Sequence, residues 1–327
     1  MEDHNLERLI FNQSLPFEKR ALQVYQYQYN HVDVYKEFCD QLHRTPTTVS
    51  HIEQIPFLPV EMFKFHRIVA DNAPAETIFR SSGTTGQTPS QHLVKSTSLY
   101  KTSILNGFHT FFGNPAEYCF LALLPSYLER QDASLVYMAK TLMNASAHPY
   151  NGFYLHEFNE LSQRLKQLEE RKQPVVLLGV TFALLDLAEQ FPQKLNHTKI
   201  VETGGMKGRR KEMIRAELHD ILQSAFGVKQ IFSEYGMTEM LSQAYYQAEG
   251  RFYPANTLHC LTREITDPFQ MMDYGKTGVL NVIDLANLYS CSFLATQDLG
   301  KVYEDGSFDV LGRTDSSEIR GCNLMVE

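Results

Sequence analysis

Four short apolar runs do most to constrain what this chain can become. They are CFLALL (119 to 124), VVLLGV (175 to 180), KIVET (199 to 203) and KQIFSEYG (229 to 236). Each resembles a strand buried on both faces, the pattern of a parallel sheet. Stretches of helical periodicity lie between them. The clearest is MKGRRKEMIRAELHDILQSAFG, with Met213, Ile214, Leu218, Ile221, Leu222, Ala225 and Phe226 on one stripe and Gly227 as a C-terminal cap. Strands alternating with helices predict an α/β fold with right-handed crossovers. The segment before residue 75 is mostly helix-like, with Leu6, Leu9, Ile10, Ala21, Val24 and Tyr25 at helical spacing. Two prolines break PFLPVEMF (56 to 63), which predicts an extended, buried connector. From about residue 252 the text is β-rich: VLNVIDL, CSFLATQDLG and KVYEDGSFDVLGR, with turn signals at Tyr274-Gly275-Lys276 and Asp305-Gly306. The expected organisation is a helical region (1 to 75), an α/β core (76 to 251) and a smaller β-rich lobe (252 to 327).

Size and charge narrow the function classes. With 327 residues the chain can bury a full core, and 43% hydrophobic and 21% charged residues suit a soluble globular protein. A net charge of −8 without a long Lys/Arg run argues against a nucleic-acid surface. No apolar run approaches the length that spans a membrane, and MEDHNLERLIF lacks the basic and apolar regions of a signal peptide. Cys39, Cys119, Cys260, Cys291 and Cys322 show no CxxC or paired spacing, which predicts a reducing, cytoplasmic setting and no structural zinc.

Candidate chemistry sits in loops. Residues 79 to 92 read FRSSGTTGQTPSQH, ahead of a helix-like segment. So many small hydroxylated residues make either a plain surface loop or a phosphate cradle, in which glycines let backbone N–H groups approach an anion and hydroxyls donate further bonds. The run is not a Walker A loop, because Gln87 follows Gly86 where a lysine would be required. Ligands of α/β sheets bind beyond the carboxyl ends of strands. ETGGMKGRR (202 to 210), SEYGMTE (233 to 239), TQDLG (296 to 300) and GRTDSSEIRG (312 to 321) are therefore the further places to look. Each has a bland reading as well. Tyr235 is one of 17 tyrosines and could be core packing, Glu239 could satisfy a helix dipole, and Asp298 could be a turn residue. The basic run at Lys207, Arg209 and Arg210 could be a solvated face.

SSGTTGQTP, YGMTE, TQDLG and GRTD stand in the order found in adenylate-forming enzymes, the acyl- and aryl-CoA synthetase superfamily. LLPSYLERQ, LLGVTFALLDLAE, ETGGMKGRRKE and EIRGCNLM further resemble the LuxE-type acyl-protein synthetases, over nearly the whole chain after the first helices. The resemblance implies an α/β adenylating domain with a smaller C-terminal β-rich lobe. It also implies a two-step reaction: ATP and a carboxylic acid, expected to be fatty, give an acyl-adenylate and pyrophosphate, and the acyl group then moves to a thiol.

Residue by residue, the resemblance implies that Ser81, Ser82, Gly83, Thr84, Thr85 and Gly86 grip the β- and γ-phosphates. Tyr235, with Gly236, would stack on adenine, Thr238 would hold the α-phosphate, and Glu239 would bind Mg²⁺. Asp298 would accept from the ribose hydroxyls, with Arg313 nearby. Acyl-protein synthetases are acylated on a cysteine near the C-terminus, which points to Cys322. The larger adenylating enzymes continue past the GRxD motif into a mobile lid that brings a lysine. Here only residues 316 to 327 follow Asp315, so the expectation is a chain without that lid. Lys207 could supply the missing positive charge, or the lid could come from a partner. The expected partners are the carboxylic acid and an acyl-acceptor or reductase protein. A CoA-type ligase using a diffusible thiol and a non-catalytic nucleotide-binding subunit remain as alternatives.

Overall fold

The computed structural model describes residues 2–81, 88–125, 132–204, 213–247 and 250–314 of the chain. Three N-terminal helices, α1 (Glu2–Ile10), α2 (Phe17–His31) and α3 (Asp33–Gln41), lead into a two-residue strand β1 (Leu58–Pro59). A hairpin of β2 (Thr77–Arg80) and β3 (Gln91–Val94) precedes α4 (Thr97–Phe112). The α/β series follows: β4 (Cys119–Leu123), α5 (Ser134–Ser146), β5 (Gly152–Tyr154), α6 (Phe158–Glu170), β6 (Val175–Val180), α7 (Thr181–Gln190), β7 (Thr198–Thr203), α8 (Arg215–Phe226) and β8 (Ile231–Tyr235). The remainder is β9 (Ala244–Tyr246), β10 (Phe252–Pro254), β11 (Leu258–Arg263), β12 (Thr277–Asp284), β13 (Phe293–Val302) and β14 (Phe308–Arg313).

Four of these strands coincide with the four apolar runs. β4 and β6 are buried along their whole length, as strands covered by helices on both faces should be. β5, β4, β6, β7 and β8 pair in parallel, in that order. At β8 the pairing becomes antiparallel and continues through β9, β10, β14, β13, β12 and β11. One sheet therefore runs from the α/β part into the β-rich part, and β8 is the strand where its character changes.

Two cores lie against this sheet. One gathers α4 to α8 around the parallel strands. The other joins the N-terminal helices to the β-rich part, where Tyr35 stacks on Phe293 and Tyr25 meets the same ring edge-on. Sequence periodicity assigned the helices without showing what they cover.

Three local expectations change. The Gly/Ser/Thr run is the connection of the β2–β3 hairpin, so a strand rather than a helix follows it, and α4 begins only at Thr97. PFLPVEMF is extended only at β1 and then turns into a short 3-10 helix, Val60–Lys64. The helix expected from Met206 opens at Arg215, because Ile214 has extended backbone angles and acts as its N-cap residue. Ile214 (72% exposed) and Ile221 (37%) leave the expected apolar stripe, while Leu218, Leu222 and Phe226 stay buried. Gly227 closes this helix at φ +62°, the left-handed conformation that glycine adopts without strain.

Candidate active site

Four distant stretches meet beyond the carboxyl end of β8. The first is the neck of the β2–β3 hairpin. Ser81 N–H donates to the Ser90 carbonyl (3.2 Å), and Ser90 N–H donates to Ser81 Oγ (2.9 Å). These bonds fix both ends of the connection that carries the Gly/Ser/Thr run. The second stretch is the turn after β8. Glu239 is buried there near the Ser90 hydroxyl, which is itself buried without a hydrogen-bond partner among the described residues, and Arg313 and Glu61 also act on the Glu239 carboxyl. Burial pushes this carboxyl above its usual range, while Ser90 and Arg313 pull it back.

The other two stretches come from β13 and β14, whose register sets Asp298 directly opposite Arg313. Arg313 Nε stands 3.3 Å from Asp298 Oδ1, and the Tyr235 hydroxyl donates to Asp298 Oδ2 at 2.8 Å. The Tyr235 ring packs against Phe252 and Phe308. It is therefore part of the core, while its hydroxyl belongs to the polar chain. Burial raises the Asp298 carboxyl, opposed first by the Tyr235 hydroxyl and then by the Arg313 charge. Ser81, Tyr235, Glu239, Asp298 and Arg313 thus form one connected cluster, with Gly236 and Thr238 on the turn between Tyr235 and Glu239. Ser82, Gly83, Thr84, Thr85, Gly86, Lys207 and Cys322 lie outside the described residues.

Sequence reading missed the residues that hold this turn. The buried His92 ring stands between the Thr238 carbonyl oxygen (2.8 Å from Nδ1) and Asn287 Oδ1 (2.8 Å from Nε2). Burial drives its pKa down to about 4, so the ring is neutral near pH 7. Both partners are oxygens, so a neutral ring donates to only one of them at a time. Asn287 Nδ2 donates to the carbonyls of Glu239 and Cys291, each at 2.8 Å. Asp284 accepts from the backbone N–H groups of Leu241 (2.6 Å) and Ser242 (3.0 Å). The β12–β13 connection therefore clamps the turn from Thr238 to Ser242, and β3 ties it to the Gly/Ser/Thr connection. One signal was available: VIDLANLYSC is an apolar, buried run, yet it carries one aspartate and one asparagine, Asp284 and Asn287, and buried polar side chains of this kind need partners.

A second polar group lies at the ends of β7 and β8. The Thr181 hydroxyl donates to Glu202 (2.9 Å), and the Thr203 hydroxyl donates to Glu234 (2.5 Å). Burial, with a smaller contribution from Glu202, raises the Glu234 carboxyl to about 7 against the Thr203 bond. In the unfolded chain this group releases its proton near 4.5, so between 4.5 and 7 the folded state holds a proton that the unfolded state has lost. Its contribution to stability therefore falls as pH rises through that window, by up to about 3 kcal/mol. Denaturant unfolding at pH 5 and pH 8 should show this fall in the wild type and a smaller one in Glu234→Gln. The same pH dependence in both proteins would contradict the assignment.

The model of the family "Acyl-protein synthetase, LuxE" matches residues 7–327. The chain belongs to the LuxE acyl-protein synthetase family. A long-chain-fatty-acid–luciferin-component ligase of Photorhabdus luminescens is 34% identical over 70 residues, 21% of this chain and 60% of that protein. Among solved structures, 2-hydroxyisobutyryl-CoA ligase in complex with 2-HIB-AMP and CoA shares the fold at TM-score 0.68 and 17% identity, covering 91% of this chain and 67% of that one. ATP-bound MatB from Rhodopseudomonas palustris aligns at TM-score 0.55 and 17% identity over 74% of this chain. This LuxE-family chain spans 49% of that protein's length, and its α/β architecture is that of the large domain of adenylate-forming enzymes.

Proposed function

We propose that this chain is an ATP-dependent ligase that activates a carboxylic acid as an acyl-adenylate and passes the acyl group to a protein cysteine. One observation carries the reading: in a LuxE-family chain, Ser81, Tyr235, Glu239, Asp298 and Arg313 converge at the end of β8. A carboxylate is a poor acylating agent until one oxygen becomes a bridge to a good leaving group. In the first step a carboxylate oxygen bonds to the α-phosphorus of ATP, the bond to the β-phosphate bridging oxygen breaks, and pyrophosphate departs. Donors must surround the phosphates as charge shifts. Ser81, Ser82, Thr84 and Thr85, with the amides of Gly83 and Gly86, supply them on one side, and Thr238 faces the α-phosphate. Tyr235 and Gly236 border the adenine, and Asp298 accepts from the ribose with Arg313 beside it. Lys207 brings positive charge to the transferring group.

Glu239 suits Mg²⁺ as a single buried carboxylate with Glu61 nearby. An ion held by one or two carboxylates is carried largely by substrate phosphates. When bound, such an ion neutralises charge building on the phosphate oxygens. Because burial already favours the neutral form of Glu239, Glu239→Gln should leave the fold intact. It should lower Mg²⁺-dependent activity at least about tenfold, the scale of losing a metal ligand or its close support. Unchanged activity with unchanged Mg²⁺ dependence would make Glu239 a structural carboxylate.

In the second step a thiolate attacks the acyl carbon, AMP leaves, and the thiol proton passes to solvent. Among the described cysteines none is primed for this: Cys39, Cys119, Cys260 and Cys291 are free and buried, and burial raises every one of their thiols. Cys322 is the acceptor we assign. Those four free cysteines support a reducing, cytoplasmic setting, and no helix among the described residues is long and apolar enough to cross a membrane. The name of the curated relative supports a long-chain fatty acid as substrate. A reductase or acyl acceptor protein would then take the thioester. Incubation with radiolabelled acid and ATP, with and without CoA, tests the acceptor. Label retained on the protein through a denaturing gel without CoA is expected. Label appearing only on CoA would favour a ligase acting on a diffusible thiol.

A further inference from the structure

β8 separates two polar groups by the alternation of its side chains. Tyr235, which holds Asp298, lies opposite Ala244 in the β8–β9 register, and Glu234 lies opposite Tyr245. Residues opposite one another share a face and neighbours point to opposite faces. Tyr235 and Asp298 therefore mark one side of the sheet, while Glu234 and Tyr245 mark the other, together with Thr203. The turn leaves a bare spot on that second side. Gly236 is exposed, and a Cβ built on it would stand 2.6 Å from Glu234 Oε1 and 3.9 Å from Gln243 Cγ. Glu234 and Gln243 thus border the same spot, where the Glu234 carboxyl comes close to the backbone because Gly236 has no side chain.

Two buried side chains beside Glu234, Gln243 near Gly236 and Tyr245 across the β8–β9 pair, each carry a polar atom without a partner among the described residues. Gln243, 3% exposed, leaves Oε1 without a hydrogen bond, and Tyr245, 2% exposed, leaves its hydroxyl without one. Buried orphans of this kind are rare, and two beside one half-buried carboxylate call for a ligand that satisfies them. The niche offers acceptor oxygens from Gln243 and Glu234 and a phenol that donates or accepts. A hydroxyl matches this set, because it donates one bond and accepts others. It also enters without the desolvation cost of a second buried charge, which an ammonium would bring.

We propose that Glu234, Gln243 and Tyr245 bind a hydroxyl carried by the acyl part of the substrate, so that this chain selects a hydroxylated acid over the plain acid of equal length. The proposal rests on the acid-activating reading and names the substrate class of that site. A site built to hydrogen-bond a hydroxyl rejects the analogue lacking it, because its own polar groups are then left unpaired.

The test pairs plain acids with their 2-, 3- and 4-hydroxy counterparts, and adds 3-amino acids, in acid-dependent ATP–pyrophosphate exchange. The wild type should prefer one hydroxy acid by about tenfold or more in kcat/KM. Tyr245→Phe, a conservative change, and Glu234→Leu should each cut that preference at least about fivefold. Equal use of plain and hydroxy acids, a preference for the amino acids, or a preference that survives both substitutions would overturn the proposal while leaving acid activation in place. Exchange with no acid at all would instead remove the acid-activating reading. Calorimetric titration of the same acid pairs into the wild type and Tyr245→Phe reads the niche without turnover. Binding no tighter for any hydroxy acid would then refute it.

Discussion

Replacing Thr84 and Thr85 together by valine should lower acid-dependent ATP–pyrophosphate exchange by two orders of magnitude or more, with no loss of folding. Valine keeps the shape of threonine and removes only the hydroxyl. A hydrogen bond to a charged phosphate is worth about 1.5–3 kcal/mol, and each 1.4 kcal/mol is about tenfold in rate. The fold should survive because the hairpin is held elsewhere. β2 and β3 pair from Thr77 with Val94 to Arg80 with Gln91, and the Ser81–Ser90 bonds close the neck. Circular dichroism and thermal unfolding would check the fold, and exchange kinetics the chemistry. Wild-type exchange in the folded double variant would return the run to a plain surface loop.

Cys322→Ser should separate the two steps completely. The variant should exchange pyrophosphate at the wild-type rate, since the adenylation proposed above uses the cluster at the end of β8. It should retain no radiolabelled acyl group through a denaturing gel. A thiolate is a strong nucleophile toward an acyl-adenylate, and a serine hydroxyl with no base is not. The buried, high-pKa thiols of Cys39, Cys119, Cys260 and Cys291 offer no substitute. Label retained by the variant as by the wild type would move the acceptor away from Cys322.

The parallel half of the fold was legible because strands buried on both faces are apolar throughout, as VVLLGV is. The cluster residues were legible for another reason: Ser81, Tyr235, Glu239, Asp298 and Arg313 stand in short motifs whose order carries information. Local patterns could not show what depends on register between distant strands. His92 and Asn287 meet the Thr238 to Glu239 turn only because β3 and the β12–β13 connection are brought beside it. The joining of the N-terminal helices to the β-rich part is likewise a tertiary fact, since an apolar helix stripe does not say which sheet it covers. The start of α8 was misplaced because apolar spacing continued past Ile214, whose side chain the structure leaves exposed.

On the proposed function, this chain makes an acyl-adenylate. Isotope exchange between labelled pyrophosphate and ATP, measured over a panel of carboxylic acids in the presence of Mg²⁺, tests it most directly. Exchange that requires an acid, and that falls in Glu239→Gln, is the result expected. No exchange above background with any acid, from folded protein that binds ATP, would contradict it.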